Sequence, residues 1–381
     1  HIVLRSVLDK YQYLSKQDRA FMTRLVDGTI EYMLQLDYII DSFSKTKVRK
    51  MKPFIRNLLR MSVYQIKYMD AVPDSAVCNE AVKLAKRHKF AQLSGFVNGV
   101  LRNIARNIDS VQFDTLSIRY SMPQWIVDRF VAAYGEKKAE EIFKAFHNKS
   151  TISIRTNLTR CTPDELRTML EAEGVTVTAV DELDYAFVIS GFDYLNGLQS
   201  FRDGLFYVQD ISSMLVAQTA VPKKGDYVID VCAAPGGKST HIAELLQGSG
   251  HVLARDLTDN KVDMIEENIE RHGLNNMSAE VWDATVPDAD SAGKADILIC
   301  DLPCSGLGVL GRKKDIRYKM TPESVDELAA LQRQILDTVH TYVKPNGVLV
   351  YSTCTIDEAE NEDNVRWFIE KHPEFELDKS F

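Results

Sequence analysis

The chain has 381 residues, of which 45% are hydrophobic and 26% are charged, and its formal net charge is −8. This composition is typical of a globular protein with two or three domains. The net charge argues against a uniformly basic nucleic-acid-binding protein, although it leaves room for a local basic face. Every apolar run is shorter than the roughly 18 residues of a membrane span, so we expect no membrane segment.

The N-terminal block, residues 1–110, is predicted to be helical. Apolar residues recur at intervals of three and four in the stripe from Phe21 to Ile40, in the stripe from Ile55 to Ile66, and in Val97, Val100, Leu101 and Ile104. Such stripes are typical of the core of a helix bundle.

Basic residues also recur within these predicted helices: Arg49, Lys50, Lys52, Arg56, Arg60, Lys83, Lys86, Arg87, Lys89, Arg102 and Arg106. They form either a solvated helix face or a surface that contacts phosphates. If they are only a solvated face, Arg155 and Asn157 of the next block become the main candidates for RNA contact.

The middle block, residues 111–210, is predicted to be a small α+β unit. Strands are expected at 151–157, 175–180, 186–190 and 204–208, where apolar residues alternate or cluster. Thr162 is a predicted N-cap, followed by a proline and two acidic residues, and Gly174 is expected to end that helix.

The C-terminal block, residues 211–381, alternates strand and helix signals. Strands are predicted at 227–231, 251–254, 279–281, 296–300 and 348–351, and helices at 239–246, 260–271 and 324–340. This alternation predicts a mainly parallel, doubly wound sheet with helices on both faces.

Polar side chains follow all five predicted strands. A glycine turn spans 232–238 after Asp230, and Asp256, Asp283, Asp301 and Cys354 follow the later strands. Ligands bind outside the carboxyl ends of such strands, so we expect these residues to meet at one site. Asp256 stands where Rossmann-type folds bind ribose hydroxyls, and Asp283 is a candidate for binding an adenine amine.

The six cysteines are Cys78, Cys161, Cys232, Cys300, Cys304 and Cys354. They form no CxxC pair and no zinc-type cluster with histidine, so we expect reduced thiols, no metal site and a cytoplasmic protein. Cys232 and Cys300 lie in or beside strands and are expected to be inert. Cys304 and Cys354 stand among Pro, Ser, Thr and Gly at strand ends, as nucleophilic cysteines can.

Two such cysteines beside a nucleotide-type site indicate covalent chemistry on a pyrimidine. A thiolate that adds to carbon-6 of cytosine makes carbon-5 nucleophilic enough to accept a methyl group from a sulfonium donor. Asp301 could hydrogen-bond ring N3 and the exocyclic amine, which favours the addition. The sequence motif leaves open which cysteine attacks, because DNA cytosine methyltransferases use the one in a Pro-Cys pair.

These segments resemble the RNA 5-methylcytosine methyltransferases of the Sun/Nol1/Nop2 family. The matching stretches are 230–238 (DVCAAPGGK), 301–308 (DLPCSGLG) and 351–355 (YSTCT), supported by 154–157 (IRTN) and 208–213 (VQDISS). Segment 96–103 (FVNGVLRN) ends a block that looks like the NusB RNA-binding fold. The resemblance covers essentially the whole chain.

The resemblance implies a NusB-like all-α domain (1–110), a small α+β RNA-binding or linker domain (111–210) and a Rossmann-like class I methyltransferase domain (211–381). It implies a monomer that methylates 16S rRNA with S-adenosylmethionine. Cys354 would be the nucleophile, Cys304 would help to release the product, and Asp301 would assist. The donor would contact Cys232, Ala233, Ala234, Pro235, Gly236, Gly237, Lys238, Asp256, Asp283 and Asp301.

The sequence departs from the family pattern at two places and lacks an initiator methionine. Leu302 replaces a common alanine, which is a mild change. The usual Gly-Phe-Phe segment with its final strand is absent before Phe381, and the chain begins with His1 instead of methionine. We therefore expect a chain shortened at its ends. Two alternatives are the same chemistry on tRNA and a non-catalytic NusB-like RNA-binding factor.

Overall fold

The computed structural model describes residues 2–11, 13–148 and 151–378. His1 and Phe381, on which the expectation of shortened ends rests, lie outside the described residues. The chain forms two compact units, one containing His1–Asn148 with Val309–Thr321 and the other containing Lys149–Gly308 with Pro322–Phe381. The division into three domains at residues 110 and 210 stays a prediction.

The first unit is all-helical, as predicted. Its helices are α1 (Ile2–Lys10), α2 (Lys16–Glu31), α3 (Met33–Phe43), α4 (Pro53–Tyr68), α5 (Asp74–Arg87), α6 (Ser94–Asn107), α7 (Leu116–Arg119), α8 (Gln124–Tyr134) and α9 (Glu136–Phe146). Pro53 occupies the first turn of α4, where its missing N–H costs nothing. The predicted apolar stripes supply the core: Leu36, Ile39, Ile40, Leu59, Val63, Val97, Leu101 and Ile104 are all fully buried.

The first unit also contains a segment from late in the sequence. Val309–Thr321 carries α15 (Ile316–Lys319). The guanidinium of Arg317, which is fully buried, donates to the backbone oxygens of Leu310 at 3.0 Å and Ser121 at 3.4 Å. Because a buried guanidinium needs acceptors, these bonds fix the segment within the helical unit.

The second unit begins with an antiparallel sheet. Its elements are β1 (Ile152–Thr156), α10 (Pro163–Ala172), β2 (Thr176–Val180), β3 (Leu183–Ser190), α11 (Gln199–Arg202) and β4 (Phe206–Val208). The strand order is β2-β3-β1-β4. Thr162 caps α10 and forms a capping box with Glu165, which confirms the predicted helix start.

A parallel sheet follows in the same unit. Its elements are α12 (Ile211–Ala220), β5 (Tyr227–Asp230), α13 (Gly237–Leu245), β6 (His251–Asp256), α14 (Asp259–His272), β7 (Met277–Val281), β8 (Ala295–Asp301), α16 (Pro322–Val339), β9 (Val343–Ser352) and α17 (Glu362–Lys371). The strand order is β7-β6-β5-β8-β9, and every pair is parallel. Separate apolar clusters cover its two faces, so the doubly wound α/β prediction is confirmed. None of the described helices combines the length and apolar character that crossing a membrane requires.

Arg155 and Asn157 join the two sheets of this unit. Arg155 is 1% exposed, pairs with Glu244 of α13, and donates to Gln209 at 2.8 Å. Asn157 is fully buried and donates to the backbone oxygens of Gly204 at 2.9 Å and of His272, which ends α14, at 3.3 Å. The hypothesis that Arg155 and Asn157 contact RNA is therefore wrong, because both side chains are consumed in holding β1 against the parallel sheet.

Candidate active site and RNA-binding surface

The order of the parallel strands creates a crevice beside β5. From β5 the chain moves outward to β6 and β7, and it then returns to place β8 and β9 on the other side of β5. Neighbouring connections therefore leave β5 and β8 in opposite directions. Ligands of open α/β sheets bind at such switch points, at the carboxyl ends of the strands.

The glycine turn lies at this switch point. Gly236 has a φ of +101°, which favours glycine, and Gly237 begins α13. A Cβ on Gly237 would lie 3.1 Å from Cε1 of Tyr207, so only glycine fits there without a shift. The first N–H groups of an α-helix have no partner within the helix, so those at the start of α13 are available to a ligand.

Asp230 stabilises the glycine turn from inside the protein. Its carboxylate is 1% exposed and accepts hydrogen bonds from Ser239 Oγ at 2.5 Å and from the Cys232 N–H at 3.3 Å. Burial raises the pKa of Asp230 to about 7. Asp230 therefore supports the turn from inside the protein and does not face the crevice.

Asp256 ends β6 and is 3% exposed. Its Oδ1 accepts from the Leu257 N–H at 2.7 Å and from Lys261 Nζ at 2.8 Å, whereas among the described residues Oδ2 accepts only from the Ala234 N–H at 2.9 Å. Because each carboxylate oxygen can accept two bonds, Oδ2 can accept one more. Asp256 thus ties the glycine turn to β6 and can still bind one hydroxyl.

Asp283, after β7, is exposed. Its Oδ1 accepts hydrogen bonds from the N–H of Thr285 at 2.9 Å and from the Thr285 hydroxyl at 2.7 Å, and these bonds lower the pKa of Asp283. Oδ2 accepts no hydrogen bond from any residue that the structure describes. This local turn holds the carboxylate ionised at the outer side of the crevice.

Asp301 ends β8 and is held on both oxygens. Lys238 Nζ lies 2.6 Å from Oδ2, and the Ser352 hydroxyl donates to Oδ1 at 2.8 Å. Lys238 belongs to α13 and Ser352 ends β9. Asp301 therefore links the glycine turn to the strand that carries Cys354.

The structure brings the two predicted cysteines together. Sγ of Cys304 lies 3.1 Å from Sγ of Cys354, and the Cys354 N–H donates to Cys304 Sγ at 3.2 Å. Cys354 is exposed and Cys304 is half-buried. The hydrogen bond between the two thiols raises the pKa of Cys304 most, and burial raises it further. Cys304 therefore keeps its proton and can donate a hydrogen bond to the sulfur of Cys354.

Cys232 and Cys300, the two thiols predicted to be inert, differ in exposure. Cys300 is fully buried within β8, and Cys232 is half-buried in the glycine turn. Burial raises the pKa of both thiols, which disfavours the reactive thiolate.

One carboxylate of this site was not predicted. Glu360 is fully buried, and it contacts Ser305, which follows Cys304. Its sequence context, 357–363 (DEAENED), is a strongly acidic run that predicts a solvated loop. The short spacing of six residues after Cys354 is the only sequence signal that could have singled it out.

Three histidine and aspartate side chains could also be considered for metal binding. Ligand atoms of Asp337, His340 and His372 all lie within 4.8 Å of one another. However, the Lys371 ammonium lies 2.7 Å from Asp337 Oδ1 and already supplies a cation there.

Two predicted basic runs of the helical unit come together around three stacked rings. The ring of Phe54 lies 4.6 Å from that of His88 and 5.3 Å from that of Phe90, measured between centroids. We call the surrounding exposed residues the basic corner: Arg49, Lys50, Lys52, Lys86, Arg87 and Lys89. Within the described residues, none of these six side chains forms a hydrogen bond or an ion pair.

Other predicted basic residues already have partners. Arg60 donates twice to Asp37 at 2.6 Å, and Lys83 pairs with Glu80 at 2.7 Å. The sequence could not separate these paired cations from those of the basic corner, because the partners lie on other turns and helices.

Comparison with known proteins finds three family models that match successive parts of the chain. The family of 16S rRNA methyltransferases RsmB/F matches residues 217–380, the NusB family matches 2–106, and the RsmF/B-like ferredoxin-like domain matches 122–192. A probable ribosomal RNA small subunit methyltransferase B of Bacillus subtilis is 39% identical over 388 residues, covering 100% of this chain and 86% of the relative. The chain belongs to the RsmB/F family.

Other members and solved structures agree with the RsmB/F assignment. The ribosomal RNA small subunit methyltransferase B of Proteus mirabilis is 31% identical, covering 98% of this chain and 89% of the relative. The crystal structure of PH0851 superposes with a TM-score of 0.84 at 25% identity, covering 99% of this chain and 87% of that one. NSun6 from Pyrococcus horikoshii, solved with SFG, superposes with a TM-score of 0.59 at 25% identity, covering 65% of this chain and 87% of that one.

Proposed function

We propose that this protein transfers a methyl group from S-adenosylmethionine to carbon-5 of a cytosine in 16S rRNA, through a covalent bond between Cys354 and carbon-6. The observation that carries the proposal is the pair of thiols 3.1 Å apart at the ends of neighbouring strands. Membership of the RsmB/F family supports the choice of rRNA as substrate and a cytoplasmic site of action.

The residues of the crevice fit the methyl donor. Gly236 and Gly237 keep the turn free of side chains, so that a nucleoside can approach the backbone. The spare acceptor site on Asp256 suits a ribose hydroxyl, and the exposed Asp283 suits the adenine amine. The NSun6 neighbour was solved with SFG, an analogue of S-adenosylmethionine, which supports the same assignment here. Cys232, Ala233, Ala234, Pro235 and Lys238 complete the proposed donor site.

The two cysteines divide the chemistry between them. The Cys354 thiolate attacks carbon-6 of the cytosine and forms a C–S bond, which shifts electron density to carbon-5. S-adenosylmethionine would supply the methyl group as an electrophilic carbon on a sulfonium, whose sulfur would leave as a neutral thioether. Loss of the carbon-5 proton to solvent water and cleavage of the C–S bond, whose electron pair returns to the Cys354 sulfur, then restore the aromatic ring and free Cys354.

The proton held by Cys304 suits its proposed part in release. A protonated Cys304 stabilises the thiolate of Cys354 before attack and again as that sulfur departs, because it donates a hydrogen bond to the anion. Asp301 accepts a hydrogen bond from the exocyclic amine, and it accepts a second one from N3 once N3 takes up a proton as Cys354 adds, which favours the addition. Lys238 and Ser352 hold Asp301 in place for this task.

The basic corner of the helical unit supplies affinity for RNA. These six exposed cations, which have no hydrogen-bonding or ion-pairing partner in the part of the chain that the structure describes, can each neutralise a phosphate, and each neutralised phosphate releases counterions. The target base must leave its stack to reach a cysteine, so a single-stranded or flipped cytosine is the expected substrate.

Methylation of defined RNA tests the proposal. We expect the protein to incorporate labelled methyl groups from S-adenosylmethionine into unmodified 16S rRNA transcribed from the gene of the source organism. Digestion of the product to nucleosides should yield 5-methylcytidine, and bisulfite mapping of cellular RNA with and without the gene should locate it. Incorporation into tRNA alone would replace rRNA as the substrate, and binding of rRNA without incorporation would indicate a non-catalytic binding factor.

A further inference from the structure

Glu360 lies beneath the loop that carries Cys304. Its side chain is fully buried. Oε1 accepts hydrogen bonds from the Ser305 N–H at 2.8 Å and from Gln332 Nε2 at 3.0 Å, and Oε2 accepts a bond from the Ser305 hydroxyl. The carboxylate is therefore committed to the residue that directly follows Cys304.

The partners of Glu360 are all neutral. No lysine, arginine or histidine among residues 2–11, 13–148 and 151–378 forms an ion pair with it. Burying a carboxylate without a cation costs several kcal/mol by general experience, unless hydrogen bonds compensate. A carboxylate in such a position is a poor contributor to stability, which points to a role in arranging its donors.

The network holds Cys304 from both sides. Gln332 Nε2 donates to the backbone oxygen of Pro303 at 2.8 Å, and Glu360 holds Ser305. The Ser305 hydroxyl also lies 3.0 Å from Oγ1 of Thr355, the residue that follows Cys354. Ser305 thus connects the loop that carries Cys354 to the buried carboxylate of Glu360.

Two further side chains fix the orientation of Gln332. The Tyr351 hydroxyl lies 3.0 Å from Gln332 Oε1, and Asn364 Nδ2 donates to the same oxygen at 2.7 Å. Because these donors occupy the oxygen, the amide nitrogen of Gln332 must face Pro303 and Glu360. The amide cannot rotate without losing bonds on both ends.

We propose that Glu360 is a positioning residue for product release, which places the Cys304 thiol against the sulfur of Cys354 through Ser305. This inference rests on the proposed function, since it assigns Glu360 to the step in which the bond to Cys354 breaks. Glu360 acts through its hydrogen bonds and the length of its side chain, and its charge is not required.

Two conservative substitutions separate reach from charge. In Glu360→Gln, the amide oxygen can still accept from the Ser305 N–H and from Gln332, while the amide nitrogen donates to the Ser305 hydroxyl oxygen. In Glu360→Asp, the charge remains, but the side chain is one methylene shorter and cannot accept hydrogen bonds from both Ser305 and Gln332. The matched control is Glu370→Asp, a change of the same kind at an exposed position of α17.

The assay is single-turnover reaction of the full chain with unmodified 16S rRNA, followed on denaturing gels that separate the covalent protein–RNA complex. We expect Glu360→Asp to release product about 10–100-fold more slowly and to accumulate the complex, because small displacements of reacting groups have effects of this size. Glu360→Gln should stay within about threefold of the parent, and Glu370→Asp should match it. Donor affinity should be unchanged in all three.

Any of three results would overturn the inference. Glu360→Asp could release product at the rate of the parent, or Glu360→Gln could slow release at least as much as Glu360→Asp does. Glu360→Asp could also slow methyl transfer without accumulating the covalent complex. If Glu360→Asp does not fold, Ser305→Ala tests the same link, and it should also accumulate the complex. If the unsubstituted protein itself forms no covalent complex and no 5-methylcytidine, the proposed function fails, which is distinguishable from failure of the role of Glu360 alone.

Discussion

Replacing Lys50, Lys52 and Lys89 by glutamine tests whether the basic corner binds RNA. All three side chains are exposed, and none has a hydrogen-bonding or ion-pairing partner within the described residues. If each contacts one phosphate, the slope of log affinity against log salt should fall by about 2–3, since each contact contributes roughly 0.7–0.9. At 0.1 M salt this amounts to about a hundredfold weaker binding or more, and the difference should vanish near 1 M.

A control variant with the same net charge makes this prediction sharp. Lys83, Lys138 and Lys319 are already paired with Glu80, Glu141 and Asp315 at 2.7, 3.3 and 2.6 Å. Their replacement by glutamine removes the same three charges, so any effect of net charge alone appears in both variants. We expect the control to bind RNA nearly as well as the parent.

The assay is titration of fluorescent 16S rRNA with the full chain at several salt concentrations. Substitution is preferable to deletion of residues 1–110, because Lys314 and Tyr318 of the segment Val309–Thr321 would then lose their hydrogen bonds to Glu31. Equal salt slopes for the parent and the basic-corner variant would refute the reasoning, and the lysines would then be only a solvated face.

Two other predictions concern the donor site. Asp256→Ala should weaken binding of S-adenosylmethionine about tenfold or more and leave RNA affinity unchanged, because it removes the proposed charge-assisted bond to ribose and an anchor of the glycine turn. Unchanged donor affinity in calorimetry would contradict this. Burial raises the pKa of Asp230 from 3.8 to about 7, so its contribution to stability is complete below about pH 4 and is lost as the pH rises through 7. The resulting loss in the free energy of unfolding is at most roughly 4 kcal/mol, at 1.36 kcal/mol per pH unit. Asp230→Asn should remove this pH dependence. Equal slopes of melting temperature against pH for the two proteins between pH 4 and 8 would contradict the assignment.

The periodic parts of the fold could be predicted from the sequence. The five parallel strands are short apolar runs, each ended by a polar residue, and the helices between them carry clear start and stop signals. For the same reason Asp256, Asp301, Cys304 and Cys354 could be found, because the carboxyl ends of parallel strands meet along one edge. These conclusions need only local patterns and one general rule of topology.

Contacts between distant segments could not be predicted in this way. Arg155 has the composition of an RNA contact, and only the packing of α13 on β1 shows that it is buried against Glu244. The basic corner depends on Phe54 stacking against His88, more than thirty residues away. Glu360 stands in an acidic run typical of a solvated loop, and nothing local indicates that Ser305 and Gln332 remove it from water.

The covalent complex between protein and RNA is the most direct test of the proposed chemistry. Unmodified 16S rRNA and S-adenosylmethionine would be incubated with the parent, Cys304→Ala, Cys354→Ala and the control Cys161→Ala, whose thiol is buried in the ferredoxin-like domain. We expect an RNase-sensitive, slowly migrating band that accumulates in Cys304→Ala and is absent from Cys354→Ala, which should also lose methyl transfer while keeping donor affinity. Accumulation of the band in Cys354→Ala and its absence from Cys304→Ala would show that the roles of the two cysteines are reversed.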